Sequence, residues 1–90
     1  MRVDYDEQEN RAVAKAHGVS LADAAEIFGQ AYIVDRKSDN PEQYRAIGWC
    51  AGRLCSGIYE IRHDADGEYY DLITAWKATQ REEDDYAENT

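Results

Sequence analysis

Hydrophobic residues in the first third of the chain recur with the period of a helix. Ser20 precedes one such stretch as the predicted N-cap, with Asp23 at the box position, and Gly29 closes it. The apolar residues of this stretch follow the spacing i, i+3, i+4 and i+7, and they are Leu21, Ala24, Ala25 and Phe28. The pattern therefore predicts an amphipathic helix between Ser20 and Gly29.

A helix is also predicted immediately upstream, between Asp6 and Gly18. Asp6 is its N-cap with Glu9 three residues later, and Gly18 supplies the left-handed position after its end. Its apolar positions are Ala12, Val13 and Ala16. The two residues Val3 and Tyr5 precede this helix and predict a short opening strand or an extended lead-in.

The pattern changes to strand-like runs after residue 30. The predicted strands are Ala31–Asp35, Gln43–Trp49, Leu54–Ile61 and Glu68–Ala75. Arg36–Glu42 reads as a polar loop, whereas Cys50–Arg53 and Asp64–Gly67 read as short turns that join consecutive hairpins. Thr79 with Glu82 forms a further capping box, which predicts a last helix from about Gln80 to Glu88.

Two helices followed by hairpin-linked strands predict an α+β fold. We expect two N-terminal helices on one face of a small antiparallel sheet of about four strands, followed by a C-terminal helix. The chain shows no repeat, linker or low-complexity tract, so we expect residues 1–90 to form a single domain.

The chain carries 19 acidic and 10 basic residues, for a net charge of −9 and a pI near 4.5. Such a surface repels phosphate backbones at long range, so an enzyme acting on nucleic acid would need its few cations gathered in one place. No apolar run is long enough to span a membrane, and no signal peptide is evident. These features predict a cytoplasmic protein without a membrane partner.

The cysteine and carboxylate patterns predict neither a metal nor a cofactor. Cys50 and Cys55 flank a predicted turn, where a hairpin disulfide is geometrically conceivable, but reduced, half-buried thiols suit the expected compartment better. The two cysteines lack the second pair or His cluster of a zinc site. The acidic run from Glu82 to Asp85 lacks a glycine-bracketed loop and is interpreted as a solvated helix face.

Short runs spread along almost the whole chain carry a resemblance to a known family. They are Tyr5–Glu7, His17–Leu21, Ala24–Phe28, Tyr44-Arg45, Ile47-Gly48, Gly52–Leu54, Ile73–Ala75, Lys77–Thr79, Arg81-Glu82 and Tyr86. In this order they resemble the BrnT-type toxins. The resemblance implies a RelE-like fold and a type II toxin–antitoxin system, in which a ribonuclease toxin halts translation. A ribbon-helix-helix antitoxin, usually encoded beside the toxin, is the implied partner.

Several basic positions of the family are absent from this chain. Glu9 and Ala16 stand where the family shows lysines, and Asp71 and Trp76 stand where it shows arginines. The last helix, usually rich in arginine after its Glu, continues here as Glu83–Asp85. Because one lost transition-state cation typically lowers a rate by about 10²–10³, these replacements weaken the expectation of catalysis.

Cleavage of RNA without a metal needs a base for the 2′-OH, cations for the charge that develops on phosphorus and an acid for the 5′-oxygen. The predicted catalytic residues are Arg62, His63, Lys77 and Arg81. Arg62 and Lys77 fall where the family also carries a basic residue, and His63 is the candidate base. The predicted RNA-binding residues are Arg45, Arg53 and His17.

Each of these assignments has a structural alternative. A loop histidine such as His63 is more often solvated, and His17 at a helix C-terminus is explained by the helix dipole alone. Trp49 and Trp76 are interpreted as core and sheet-face packing, with base stacking as the alternative.

Three functions therefore remain open. The first is a BrnT-like ribonuclease toxin, intact or attenuated, acting on RNA. The second is a catalytically inactive protein of the same fold, whose acidic surface engages a basic nucleic-acid-binding protein. A phage-encoded inhibitor that mimics nucleic acid would be an example. The third, weaker hypothesis is a toxin whose activity depends on assembly with another chain.

Overall fold

The computed structural model describes residues 1–90, and its central feature is a five-stranded sheet with helices on both faces. The elements in chain order are β1 (Arg2–Tyr5), α1 (Glu7–His17), α2 (Leu21–Ala24), a 3₁₀ helix (Ala25–Gly29), β2 (Tyr32–Asp39), β3 (Glu42–Cys50), β4 (Arg53–Asp64), β5 (Gly67–Lys77) and α3 (Gln80–Asn89). The α+β class is confirmed. None of the helices is long and apolar enough to cross a membrane.

The sheet is mixed and has one strand more than the sequence predicted. Its order is β1-β5-β4-β3-β2, and all neighbours are antiparallel except β1, which lies parallel to β5 with Val3 opposite Tyr70. The prediction of about four antiparallel strands is therefore wrong in detail. A four-residue strand shows too little alternation to reveal its partner, because the partner lies more than 60 residues away in sequence.

The predicted polar loop Arg36–Glu42 is also wrong, because most of it is strand. β2 continues to Asp39 and β3 begins at Glu42, which leaves only Asn40 and Pro41 in the turn. This end of the hairpin is mostly exposed, so it carries the polar residues that resemble a loop. The Arg36 guanidinium lies 5.5 Å from the centre of the Tyr44 ring and 3.1 Å from Asp39.

The predicted helix starts are confirmed by their capping hydrogen bonds. Asp6 accepts from the amide of Glu9 at 3.0 Å, and Ser20 accepts from the amide of Asp23 at 2.9 Å. Thr79 and Glu82 form both hydrogen bonds of the capping box. The second predicted helix is broken, however, because it changes from α to 3₁₀ geometry at Ala25.

The core lies between the N-terminal helices and one face of the sheet. Leu21, Ala24 and Ile27 are fully buried against the middle strands. Gly48 lets the 3₁₀ helix approach β3 closely, because a Cβ at that position would lie 3.0 Å from a methyl group of Ile27. The opposite face of the sheet is covered in part by α3.

The two cysteines form a disulfide across the β3–β4 turn, and both are buried. The expectation of reduced, half-buried thiols is therefore wrong. Cys50 and Cys55 flank the turn on the same face of the hairpin with Cα atoms 6.1 Å apart, a separation that a disulfide spans. The sequence predicted the turn but could not fix this distance.

Candidate nucleic-acid interface

The structure divides the predicted site residues between the two ends of the sheet. Lys77 on β5 lies opposite Cys55 on β4. At about 3.3 Å per strand residue, Arg62 lies roughly 23 Å further along β4. The predicted catalytic residues Arg62 and Lys77 therefore do not share one site. His63 follows Arg62 on β4 and points to the other face of the sheet.

One end, beside the β4–β5 turn, contains basic residues that each contact a carboxylate. We call it the paired end and define it by Arg2, Arg62 and His63 with their partners Glu60, Asp64, Glu68 and Asp71. Arg62 contacts Asp71 and Glu60, each at 2.7 Å. His63 Nε2 lies 3.2 Å from the Glu68 carboxylate. Both predicted catalytic residues at this end therefore already have carboxylate neighbours.

The N-terminal strand completes the paired end. Arg2 donates a hydrogen bond to Asp64, and its guanidinium carbon lies 4.2 Å from the centre of the Tyr69 ring. The hydrogen bond from Arg2 lowers the pKa of Asp64, because it stabilises the carboxylate form. These contacts attach β1 to the turn region and leave no unpaired arginine there.

Arg45, a predicted RNA-binding residue, is also held between two carboxylates. Its side chain is only 20 % exposed and lies beneath α3. It contacts Asp35 at 2.6 Å and Glu82 at 3.2 Å. The hydrogen bond with Asp35 is the main reason why the pKa of Arg45 is raised. We assign Arg45 to the attachment of α3 rather than to RNA.

Glu82 fixes α3 on the sheet and is 5 % exposed, so its assignment to a solvated helix face is wrong. Its carboxylate accepts hydrogen bonds from the Trp76 indole at 3.0 Å and the Thr79 amide at 2.8 Å. Burial raises the pKa of Glu82, but these hydrogen bonds and the Arg45 charge outweigh burial, and the net pKa is lowered. The sequence showed the capping box, but not that its carboxylate also reaches the sheet.

The other end of the sheet, beside the β3–β4 turn, collects basic residues that form no ion pair. We call it the basic end and define it by Lys15, His17, Arg53, Lys77 and Arg81. The Lys77 ammonium packs against Gly18, because a methyl group on that glycine would lie 3.2 Å from Nζ. The C-terminus of α1, which carries Lys15 and His17, is thereby brought next to β5.

The register of the sheet places the remaining cations near Lys77. Arg53 is two residues before Cys55, the partner of Lys77, and so is its diagonal neighbour on the same face. The Ala78 amide donates a hydrogen bond to the Leu54 carbonyl at 3.0 Å, which holds the start of α3 near this end of the sheet. Arg81 lies in the first turn of α3. Sequence reasoning missed Lys15, for which the only signal was its position in the last turn before Gly18.

The distribution of ion pairs separates the two ends clearly. The basic residues that form ion pairs are Arg2, Arg11, Arg36, Arg45 and Arg62, half of the ten Lys and Arg residues. Of the five that form none, four belong to the basic end, and the fifth, Lys37, lies near the β2–β3 turn. In a chain of charge −9, this end is where cations remain available to an anion.

An exposed tryptophan lies near the same turn. Trp49 is 44 % exposed, so its assignment to the core is wrong, whereas Trp76 is partly buried and donates to Glu82. Trp49 lies opposite Leu54 at the last pairs of the β3–β4 hairpin. Because successive strand residues point to opposite faces, the Trp49 indole lies on the α3 side of the sheet, whereas Arg53 and Lys77 lie on the other side.

Comparison with known proteins shows a similarity to a solved structure. No protein-family model matches the chain, and no curated protein matches it in sequence. The crystal structure of the Brucella abortus ribonuclease toxin BrnT matches it with a TM-score of 0.67 over 89 % of this chain and 99 % of BrnT. The chain has a BrnT-like fold. Sequence identity over this match is 23 %, so the similarity concerns the fold alone.

No group of three or more His, Cys, Asp or Glu side chains has an arrangement that could hold a metal ion. The chain presents one end with four unpaired Lys and Arg side chains and the imidazole of His17, and one end where Arg2 and Arg62 face several carboxylates.

Proposed function

We propose that this chain is a BrnT-like ribonuclease toxin, one domain that binds RNA through its basic end. The observation that carries the proposal is the clustering of unpaired cations at one end of a BrnT-like fold. Lys77 and Arg53, which are diagonal neighbours on one face of the sheet, hold consecutive phosphates. A ribbon-helix-helix antitoxin as partner and a cytoplasmic location follow from the family resemblance and belong to the same proposal.

Cleavage at this end uses the side chains of the chain itself. The His17 imidazole takes the 2′-OH proton, the 2′-oxygen attacks the phosphorus, and Lys77 stabilises the additional negative charge on the phosphorane. The bond to the 5′-oxygen then breaks, that oxygen takes a proton from a water molecule, and the water regains a proton from the His17 imidazolium. His17 replaces His63 as the proposed base, because His63 is at the paired end and contacts Glu68.

Induced expression in a bacterium tests the proposal. Wild-type protein should arrest growth and degrade cellular RNA, and Lys77→Ala should restore growth. Arg62→Ala removes one positive charge from the paired end and is the matched control, so it should still arrest growth. Normal growth with abundant folded wild-type protein would contradict a free-standing toxin, and arrest by both variants would contradict the basic end as its site.

A second function is favoured by a different observation. Arg45 and Arg62 are each held between two carboxylates, and the net charge of −9 leaves a surface that is mostly acidic. We therefore also propose a catalytically inactive binding protein that engages a basic partner in place of nucleic acid. A phage-encoded inhibitor of a nucleic-acid-binding protein has these properties.

The two functions are distinguished by measuring whether the protein displaces DNA from a DNA-binding domain. A mimic should displace duplex DNA from a basic DNA-binding domain, and added salt should weaken the effect because the contacts are electrostatic. Absence of displacement at low salt would exclude the mimic. A ribbon-helix-helix reading frame immediately downstream would favour the toxin, whereas a lone gene in a mobile element would favour the inhibitor.

A further inference from the structure

A groove of about 470 Å³ lies between the C-terminal half of α3 and strands β2 and β3. Its apolar wall consists of Ile33, Val34 and Ile47, and its polar wall includes Asp85 and Asn89 from α3. The groove lies on the α3 side of the sheet, whereas Lys77 packs on the opposite side beneath α1. It is therefore distinct from the site of Lys77 and Arg53, and Arg81 lies at the other end of α3.

The groove has an excess of negative charge. Arg45 is its only cation, and Asp35 and Glu82 already neutralise it at 2.6 and 3.2 Å. The Asp85 carboxylate forms no hydrogen bond and no ion pair, although it lies close enough to raise the pKa of Arg45 after the larger effects of Asp35 and Glu82. Three carboxylates thus face one guanidinium, so an occupant of this groove would gain by carrying positive charge.

The groove also borders an open edge of the sheet. β2 is the last strand in the order β1-β5-β4-β3-β2, so its outer backbone amides and carbonyls have no strand partner. Val34 on this strand is 45 % exposed. The strand is regular from Tyr32 to Arg36, and a register shift follows between Arg36 and Ser38. An edge of this length is suited to pairing with an extended peptide.

We propose that an extended segment of a partner protein, with apolar and basic residues two positions apart on one face, pairs with β2 and fills this groove. Alternate side chains of an added strand point to one face, where an apolar side chain would contact Ile33 and Ile47. A lysine or arginine two residues along the segment lies on the same face and would reach Asp85. A second copy of this chain is a poor occupant, because two chains of charge −9 repel each other.

This inference deepens the second function, since it names the basic partner's binding site, and it does not depend on RNA cleavage. The test titrates isotope-labelled full-length protein with a short synthetic peptide of the repeat valine-serine-lysine-serine, which places valine and lysine on one face, and follows it by NMR. We expect the backbone amide signals of residues 32–36, Asp85 and Asn89 to shift on titration. A peptide with glutamate in place of each lysine should leave them unchanged.

Two charge-reversal variants make the test specific. Asp85→Lys should weaken binding of the lysine-containing peptide about tenfold, because it places a cation where the peptide brings one. Glu83→Lys makes the same charge change on the other side of α3 and should change affinity less than about twofold. A thermal unfolding curve for each variant verifies that α3 remains folded, and Asp85→Asn serves as the milder replacement if Asp85→Lys unfolds.

The outcomes that overturn the inference are distinct from those that overturn the proposed function. Absence of shifts, shifts centred elsewhere, or equal weakening by both variants would exclude the groove as a site for a basic segment. Concentration-dependent dimerisation of the free protein through β2 would assign the edge to a second copy instead. If the peptide binds in the groove but duplex DNA is not displaced from a basic domain, the groove is supported and mimicry fails.

Discussion

The two ends of the central sheet contain the same residue types in opposite electrostatic states. At the paired end Arg62 lies between Glu60 and Asp71, at 2.7 Å from each. At the basic end Arg53 and Lys77 have no carboxylate within ion-pairing distance. A net charge of −9 therefore does not describe the charge that a ligand meets, because the availability of a cation depends on its immediate neighbours.

The two ends also differ in what the structure shows for two basic residues that the sequence analysis selected, Arg62 and Lys77. Arg62 was selected through the family resemblance, and the structure places it in contact with two carboxylates. Lys77 was selected in the same way, and it forms no ion pair where it packs next to Gly18. Only the structure distinguishes the two residues.

The largest effect is expected from removing two cations at the basic end. The double variant Lys77→Ala and Arg53→Ala should bind a single-stranded RNA oligonucleotide about a hundredfold more weakly, roughly 2.7 kcal/mol, because two phosphate contacts are lost. The double variant Arg2→Ala and Arg62→Ala removes the same charge from the paired end and should bind almost as well as wild type. Fluorescence anisotropy at several salt concentrations measures the RNA affinity of both double variants. Equal losses of affinity would show that the two ends contribute alike to RNA binding.

A smaller effect is expected from neutralising one carboxylate partner of an arginine. Glu82→Gln leaves Arg45 with a single partner beneath α3, and we expect a loss of about 2 kcal/mol in the free energy of unfolding. Asp71→Asn does the same to Arg62, whose side chain is 48 % exposed, and should cost less than about 0.5 kcal/mol. Urea denaturation measures both values. Similar losses would show that burial does not distinguish the two arginines.

The smallest expected effect is the loss of stability at acid pH. The pKa of Glu82 in the folded chain lies below its ordinary value of 4.5, and that of Asp64 lies below 3.8. Each carboxylate therefore contributes stability that is fully present above its ordinary pKa and is lost as pH falls through the folded pKa. Thermal unfolding below pH 4.5 should show this loss, and Glu82→Gln should reduce the slope. An unchanged slope in that variant would remove Glu82 as a cause.

Local sequence signals predicted the fold where a single hydrogen bond or turn decides the structure. Asp6, Ser20 and Thr79 each cap the helix expected of them, because a capping side chain acts within three residues. The β3–β4 and β4–β5 turns were also predicted correctly. The parallel pairing of β1 was not, since nothing near Val3 in sequence identifies Tyr70 as its partner.

The candidate site was less predictable because its members come from distant segments. His17, Arg53 and Lys77 were all named from sequence, but so were Arg45, Arg62 and His63, which the structure places elsewhere. The distinction depends on whether a carboxylate lies within a few ångströms, as Asp71 does for Arg62. Whether such a carboxylate lies nearby depends on the register of β4 against β5, which the sequence alone does not reveal.

The pairing of β1 with β5 also sets the order in which the sheet is completed during synthesis. β1 leaves the ribosome first, yet its partners Tyr69–Leu72 belong to the last strand. At about 5–20 residues per second, the opening strand waits several seconds for them, while the hairpins of β2, β3 and β4 form from nearby contacts. β1 therefore joins the sheet late in translation. Until then β1 has no strand partner, and it stays accessible to chaperones on the nascent chain.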